Sequence, residues 1–209
     1  MERSKPLSFP APGISLVILI LIMGSCSHKF EGDTLDLGMY QWNLWADPEA
    51  SFTFPADPIQ PGPIPMDPGH EPSCGWEEFH RGKGKLVRIP ARMNDHLESA
   101  LNEGNGADSF RGTAWYHSRF TLPEQWEGRK ITLEFEEAGP YVEVYLNETF
   151  VGGYQGKNST FSLDVTGTIY YTRDNHLSIR ITDSNGEGGG ITGSLQVRPG
   201  NPAHPEVEN

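Results

Sequence analysis

From Thr113 to Val197 the chain repeats one short pattern, and that pattern limits the fold more than any other feature. The runs Ile131-Thr-Leu133-Glu-Phe135-Glu, Val142-Glu-Val144-Tyr-Leu146, Phe161-Ser-Leu163-Asp-Val165 and Leu177-Ser-Ile179-Arg-Ile181 each alternate apolar and polar residues with period two. Successive side chains of a strand point to opposite faces, so each run reads as a strand with one apolar face. Thr113–Leu122 sets Tyr116, Ser118, Phe120 and Leu122 on one face and Trp115, His117 and Arg119 on the other. Leu195–Val197 closes the series. Short strands separated by Gly, Pro and Asn turns, with hardly any helix, predict an all-β antiparallel sandwich or jelly roll. Polar residues alternating outward predict that each sheet keeps one wet face.

The region before Thr113 carries fewer strand signals. Leu35–Trp45 alternates Tyr40, Trp42 and Leu44 as a first strand, which Asp47-Pro48 ends. The segment 55–72 contains Pro55, Pro58, Pro61, Pro63, Pro65, Pro68 and Pro72. Proline removes backbone donors, so this stretch is a long surface loop or a linker. Lys85–Ile89 is a short strand closed by Pro90. Asp95–Leu101 has Asp95 and Glu98 at capping-box spacing and Gly104 as a stop, which predicts a two-turn helix.

Residues 1–26 read as an export signal. Arg3 and Lys5 form a positive start, and Ile14–Met23 is an apolar run well short of the roughly 20 residues a spanning helix needs. Met23-Gly24-Ser25-Cys26 follows, similar to a bacterial lipobox with Cys26 as the lipidation site. The expected organisation is a signal at 1–26, a tether at 27–33, a sandwich over 34–199 and a polar tail at 200–209. A lipobox cysteine usually carries two kinds of acyl group, enough for stable membrane attachment. The expectation is an exported envelope protein, anchored on a periplasmic or surface face.

Charge narrows the partners. Lys+Arg 16 against Asp+Glu 28 gives −12, which argues against non-specific nucleic-acid binding. Cys74 is the one thiol left once Cys26 carries lipid, so neither a disulfide framework nor a cysteine zinc site is expected. The seven His show no HExxH and no i, i+4 pair, and no metal motif is read from them.

The order of the runs resembles a known domain. Trp115-Tyr116, Phe120 and Pro123, then the hairpin at Asn147 followed by Val151-Gly152, then Phe161 with Asp164-Val165-Thr166 share its pattern. So do Asp174-Asn175-His-Leu177, Gly189-Gly190-Ile191 and the opening Leu35-Asp-Leu with Trp42-Asn-Leu and Asp47-Pro48. These residues resemble the N-terminal sugar-binding jelly roll of glycoside hydrolase family 2, the family of β-galactosidases, β-glucuronidases and β-mannosidases. The resemblance spans about 34–199 and implies a galactose-binding-like fold. Many such folds hold a calcium ion, but no Asp-rich loop here commits to one, and no other cofactor is implied.

Chemistry is harder to find. A glycosidase needs two carboxylates about 5–10 Å apart across the sugar. In the family these belong to a (β/α)₈ barrel of about 250 residues, longer than this 209-residue sequence. The Asn-Glu pairs at 102–103 and 147–148 read as turn or surface residues, and the expectation is a chain without catalysis of its own. The resemblance also implies that the loop after the Val-Gly hairpin and the Gly-Gly-Ile loop face a sugar site. There Tyr154 offers a ring to stack on a pyranose, and Gln155, Lys157 and Asn158 offer groups for hydroxyls. A polar solvent loop explains the same residues. The leading expectation is an accessory lipoprotein that binds an oligo- or polysaccharide, alone or beside a glycosidase. The alternatives are a subunit of a glycosidase whose barrel lies on another chain, and an interaction sandwich with no sugar affinity.

Overall fold

The computed structural model describes residues 33–50, 60–97, 110–186 and 188–201. The export signal, Cys26, the tether up to residue 32, Asn102-Glu103 and the tail beyond residue 201 lie outside the described residues.

Thirteen strands are described, in chain order β1 (Leu35–Asp36), β2 (Trp42–Ala46), β3 (Gly62–Pro63), β4 (Lys85–Val87), β5 (Ala91–Arg92), β6 (Gly112–Phe120) and β7 (Ile131–Gly139). There follow β8 (Tyr141–Leu146), β9 (Thr149–Gln155), β10 (Ser159–Asp164), β11 (Asn175–Asp183), β12 (Gly190–Ile191) and β13 (Leu195–Pro199). Among the described residues one α-helix, α1 (Trp76–His80), precedes β4. The strands form a six-stranded sheet in the order β1-β13-β7-β12-β5, with β10 also on β7, and a seven-stranded sheet in the order β3-β9-β8-β11-β6-β2-β4. Every pairing of these strands is antiparallel. The predicted all-β sandwich is the fold observed.

The alternating runs supply the core between the sheets. Leu133, Phe135, Val142, Val144, Leu146, Leu177, Ile179, Ile181, Leu195 and Val197 belong to one buried cluster with Trp42, Leu44, Tyr116 and Phe120. Turn chemistry agrees with the sequence. Asn147 and Glu148, with φ of 52° and 67°, make the left-handed turn that joins β8 to β9. Asp164 accepts hydrogen bonds from the Thr166 amide (3.1 Å) and hydroxyl (2.6 Å), and the strand ends there.

Three expectations are corrected. The opening strand is broken by a 3-10 turn at Leu37–Met39, where the Asp36 carboxylate accepts from the Gly38 amide at 2.8 Å. The break lets β1 join one sheet and β2 the other. The Asp95 region forms a 3-10 turn, Met93–Asp95, with Asp95 as its last residue and not the cap of a helix; residues 98–101 are not among those described. The third correction concerns the wet faces. On the outer side of the seven-stranded sheet Trp115, His117, Glu143, Tyr145, Ser178, Arg180 and Thr182 are all buried. Residues 70–80, ending in α1, roof this face. Phe79 is fully buried against Trp115 and Tyr145, with Trp45, Cys74, Trp76 and Phe150 around them. Five residues are too few for a helix to hold itself in water, so this packing is what fixes α1. The exposed pairs Arg81 with Glu77 and Lys83 with Glu78 are screened by solvent and contribute little beside this packing.

The Pro-rich segment meets the sheet at its edge. Pro63 pairs with Tyr154 and Gly62 with Gln155, an edge position where a missing donor is tolerated.

Candidate functional site

Two places on the sandwich concentrate polar chemistry. The first is the rim around Gly139-Pro140, the corner between β7 and β8. The Gly156 amide donates to the Pro140 carbonyl at 2.7 Å, which folds the turn after β9 onto this corner. The Gly-rich loop comes from the other side, where the Met93 amide donates to the Gly189 carbonyl at 2.8 Å. The approach needs glycine. A Cβ on Gly139 would lie 2.7 Å from the Gly156 carbonyl oxygen, and one on Gly189 would lie 2.8 Å from that of Gly139. The two loops singled out in the sequence therefore converge.

One buried carboxylate sets the shape of the Gly-rich loop. Asp183, with no exposed surface, accepts from the amides of Asn185 (3.1 Å), Gly186 (2.8 Å), Gly188 (3.0 Å) and Gly189 (2.8 Å). Four donors around one carboxylate satisfy a charge that would otherwise be costly to bury.

The four residues expected to meet sugar divide between two environments. Tyr154 stands opposite Val142, whose side chain faces the core, and so points inward at the sandwich edge. Its ring stacks on Phe161 with centroids 5.4 Å apart, and Phe161 stacks on buried Phe135 at 4.4 Å. Gln155 donates to the Gln60 carbonyl at 2.9 Å and ties β9 to the Pro-rich segment. Lys157 and Asn158 are exposed on the turn at the rim, and Asn158 is left-handed with φ of 50°. Tyr154 and Gln155 are thus partly buried, whereas Lys157 and Asn158 are exposed.

The second place was not legible as a site in the sequence. Under the roof of the seven-stranded sheet, Glu143 accepts from Arg180 Nη1 at 2.7 Å and from the Tyr145 hydroxyl at 2.8 Å, and lies 2.9 Å from His70 Nδ1. Burial, and then the Glu143 charge, hold the Tyr145 phenol well above its ordinary range. The neighbouring Asp47 accepts from Trp115 Nε1 at 3.1 Å and from the Ser73 amide at 3.0 Å. Both carboxylates hold the roof down with charge-assisted hydrogen bonds.

Beside this network three imidazoles meet: His80 at the end of α1, His117 on β6 and His176 on β11. One nitrogen from each ring lies within 4.8 Å of the other two. His117 Nε2 and His176 Nδ1 are 3.2 Å apart, His80 Nε2 is 3.2 Å from Ser178 Oγ, and His80 Nδ1 is 3.6 Å from Glu148 Oε1. Burial pushes His117 down to about 3 and His80 down to about 4, with neighbouring imidazoles adding to both shifts. His176 is lowered too, by burial and then by the Arg119 charge. These shifts all favour the neutral rings, whose nitrogens meet one another and the Ser178 hydroxyl. The sequence showed seven His without metal-ligand spacing, because these three are brought together only by strand register. One signal was available: Trp115 and His117 share a face that simple alternation assigns to water, and a Trp on a wet face implies a cover.

Comparison with known proteins places the fold. The family model described as beta-galactosidase second all-beta domain matches residues 90–187. A β-glucuronidase of Formosa agariphila is 28% identical over 93 residues, covering 44% of this chain and 9% of that protein. A β-galactosidase of Thermoanaerobacter pseudethanolicus is 29% identical over 105 residues, covering 50% and 14%. Among solved structures, a glycosyl hydrolase family 2 member from Bacteroides cellulosilyticus superposes with a TM-score of 0.56 at 14% identity, over 81% of this chain and 21% of that one. The Ruminococcus gnavus β-glucuronidase gives 0.55 at 15% identity, over 79% and 28%. The chain thus spans a small part of the length of each relative it matches. The sandwich is similar to the β-sandwich domains of glycoside hydrolase family 2 proteins.

Proposed function

We propose that this chain is a non-catalytic carbohydrate-binding or accessory module of a glycan-degrading system, held at a bacterial envelope through lipid on Cys26. One observation carries the reading: the turn at 156–158 and the loop at 184–190 converge on Gly139-Pro140 and present Lys157 and Asn158 to solvent beside a preformed loop. The contact set we favour is Lys157 and Asn158, with Tyr154 and Gln155 shaping the turn from behind. The named relatives are β-glucuronidases and β-galactosidases, which makes a sugar ligand the natural first choice.

The test is a glycan-binding screen of the full chain, with hydrolysis of nitrophenyl glycosides followed in the same samples. Saturable binding without turnover supports the proposal. Turnover that survives purification would make the chain an enzyme in its own right. Absence of both favours the interaction sandwich, and co-purification with a barrel-bearing glycosidase favours the subunit reading. The anchor is tested separately: Cys26→Ala should release the protein from the membrane fraction, and retention there would defeat the lipid claim.

A further inference from the structure

We infer that His80, His117 and His176 form a site for a first-row divalent metal ion, with zinc the best match. The argument begins with distance. Zinc–nitrogen bonds of about 2.0–2.1 Å at tetrahedral angles place ligand nitrogens roughly 3.3 Å apart. The His117 Nε2 to His176 Nδ1 separation is 3.2 Å, and all three nitrogens fall within 4.8 Å of one another. To bind with them, His80 Nε2 would leave Ser178 Oγ and its ring would turn towards the other two nitrogens.

Topology brings the three rings together. His117 pairs across the sheet with Ser178, and His176 is two residues before Ser178 on the same strand face. His80 descends on both from the roof, with ring centroids 4.7 Å from His117 and 4.4 Å from His176. Three imidazoles packed together without a carboxylate in hydrogen-bond contact are an uneconomical way to fill a covered face. Their contacts, His117 Nε2 to His176 Nδ1 and His80 Nε2 to Ser178 Oγ, are single hydrogen bonds that a shared cation would replace.

The surroundings suit a metal. Glu148 Oε1, 3.6 Å from His80 Nδ1, is placed to accept the proton of that nitrogen while Nε2 turns to the ion; a carboxylate commonly orients a ligating imidazole in this way. The Glu148 side chain is 53% exposed and that of His80 11%, so this side of the cluster borders solvent. Three neutral nitrogens suit zinc better than calcium or magnesium, which prefer oxygen, and leave a fourth position for water or a small oxygen ligand. The ion would clip α1 to β6 and β11, joining residues 37 and 96 positions apart in the chain.

The test uses the full chain purified without a histidine tag, stripped with a chelator and titrated with zinc by calorimetry. One zinc per chain is expected, with binding lost in His117→Ala and His176→Ala and weakened about 10–100-fold in Glu148→Gln. Far-UV circular dichroism of each variant reports whether it is folded. Should the histidine variants unfold, cobalt added to the wild-type chain decides the matter. Visible bands of a tetrahedral, nitrogen-ligated cobalt ion, displaced by one equivalent of zinc, support the site. A wild-type chain that binds no zinc or cobalt at micromolar concentration overturns it. So does binding that persists undiminished in a folded His117→Ala/His176→Ala double variant.

Discussion

Glu143 and Arg180 face each other across β8 and β11 as an ion pair sealed from solvent, Oε1 to Nη1 2.7 Å, with side-chain exposures of 0% and 1%. The pair lies on the face that alternation assigns to water, beneath a roof built from residues 70–80. Burying two charges is repaid only when every polar atom finds a partner, and here Tyr145 and His70 complete the shell of Glu143.

Removing one member of this pair is expected to hurt more than the pair itself contributes. Glu143→Ala leaves the Arg180 charge buried without its carboxylate and should cost about 3–5 kcal/mol. Urea denaturation followed by tryptophan fluorescence measures it, and Trp115 and Trp76 lie close enough to report. A loss below about 1 kcal/mol would mean that water reaches Arg180 in the native state.

Asp183→Ala withdraws one carboxylate from four amides at once. A loss of about 3 kcal/mol or more is expected, since each hydrogen bond to a charged group contributes about 1.5–3 kcal/mol and only some amides find water instead. Limited proteolysis should then cut within 184–190 more readily than in the wild-type chain.

Tyr154 and the turn that follows it should separate packing from binding. Tyr154→Ala removes a ring stacked on Phe161 and is expected to destabilise by about 2–4 kcal/mol. Lys157→Ala and Asn158→Gly should leave the midpoint of unfolding nearly unchanged, glycine accepting the left-handed backbone at 158. If sugar binding is found, the last two variants should weaken it. Binding untouched by both would move the contact surface away from the rim.

Acid should loosen the metal-free protein early. His80 and His117 titrate at about 4 and about 3 in the folded chain and near 6.5 when unfolded. The unfolded state therefore binds more protons between these values, and stability falls as pH drops from about 6.5 towards 3. The charged groups facing the cluster pull both ways: Arg119 disfavours protonation, whereas Glu148 and Asp174 favour it at His176. Denaturation midpoints at pH 7.5, 6, 5 and 4 should decline steadily. In a His80→Gln/His117→Gln variant the decline over this window should be shallower.

The sandwich was legible in the sequence because a period-two repeat encodes burial directly. Leu177, Ile179 and Ile181 lie on the core face that alternation gives them. The rim was legible through its glycines, which mark backbone contacts no side chain allows. The roof was not. Whether His176, Ser178 and Arg180 meet water depends on residues about a hundred positions away, and periodicity within β11 carries no information about them. The histidine cluster has the same cause, since register between β6 and β11 and the descent of α1 are tertiary facts. The broken opening strand was missed because Asp36 competes locally for the Gly38 amide, a contact that alternation of Tyr40, Trp42 and Leu44 does not record.

The pairing of β1 with β13 brings the two ends of the described sandwich together. Leu35 lies opposite Val197, and Arg129 joins the two ends, reaching Asp33 with Nη1 (3.3 Å) and the Gly200 carbonyl with Nε (2.7 Å). Chain entering before Asp33 and chain leaving after Asn201 therefore depart side by side, from the Ile131 end of β7. The Gly139 corner is at the other end of the same strand, about 27 Å away at 3.3–3.4 Å per residue. An attachment made at either of these ends would leave the rim as the part of the sandwich farthest from it.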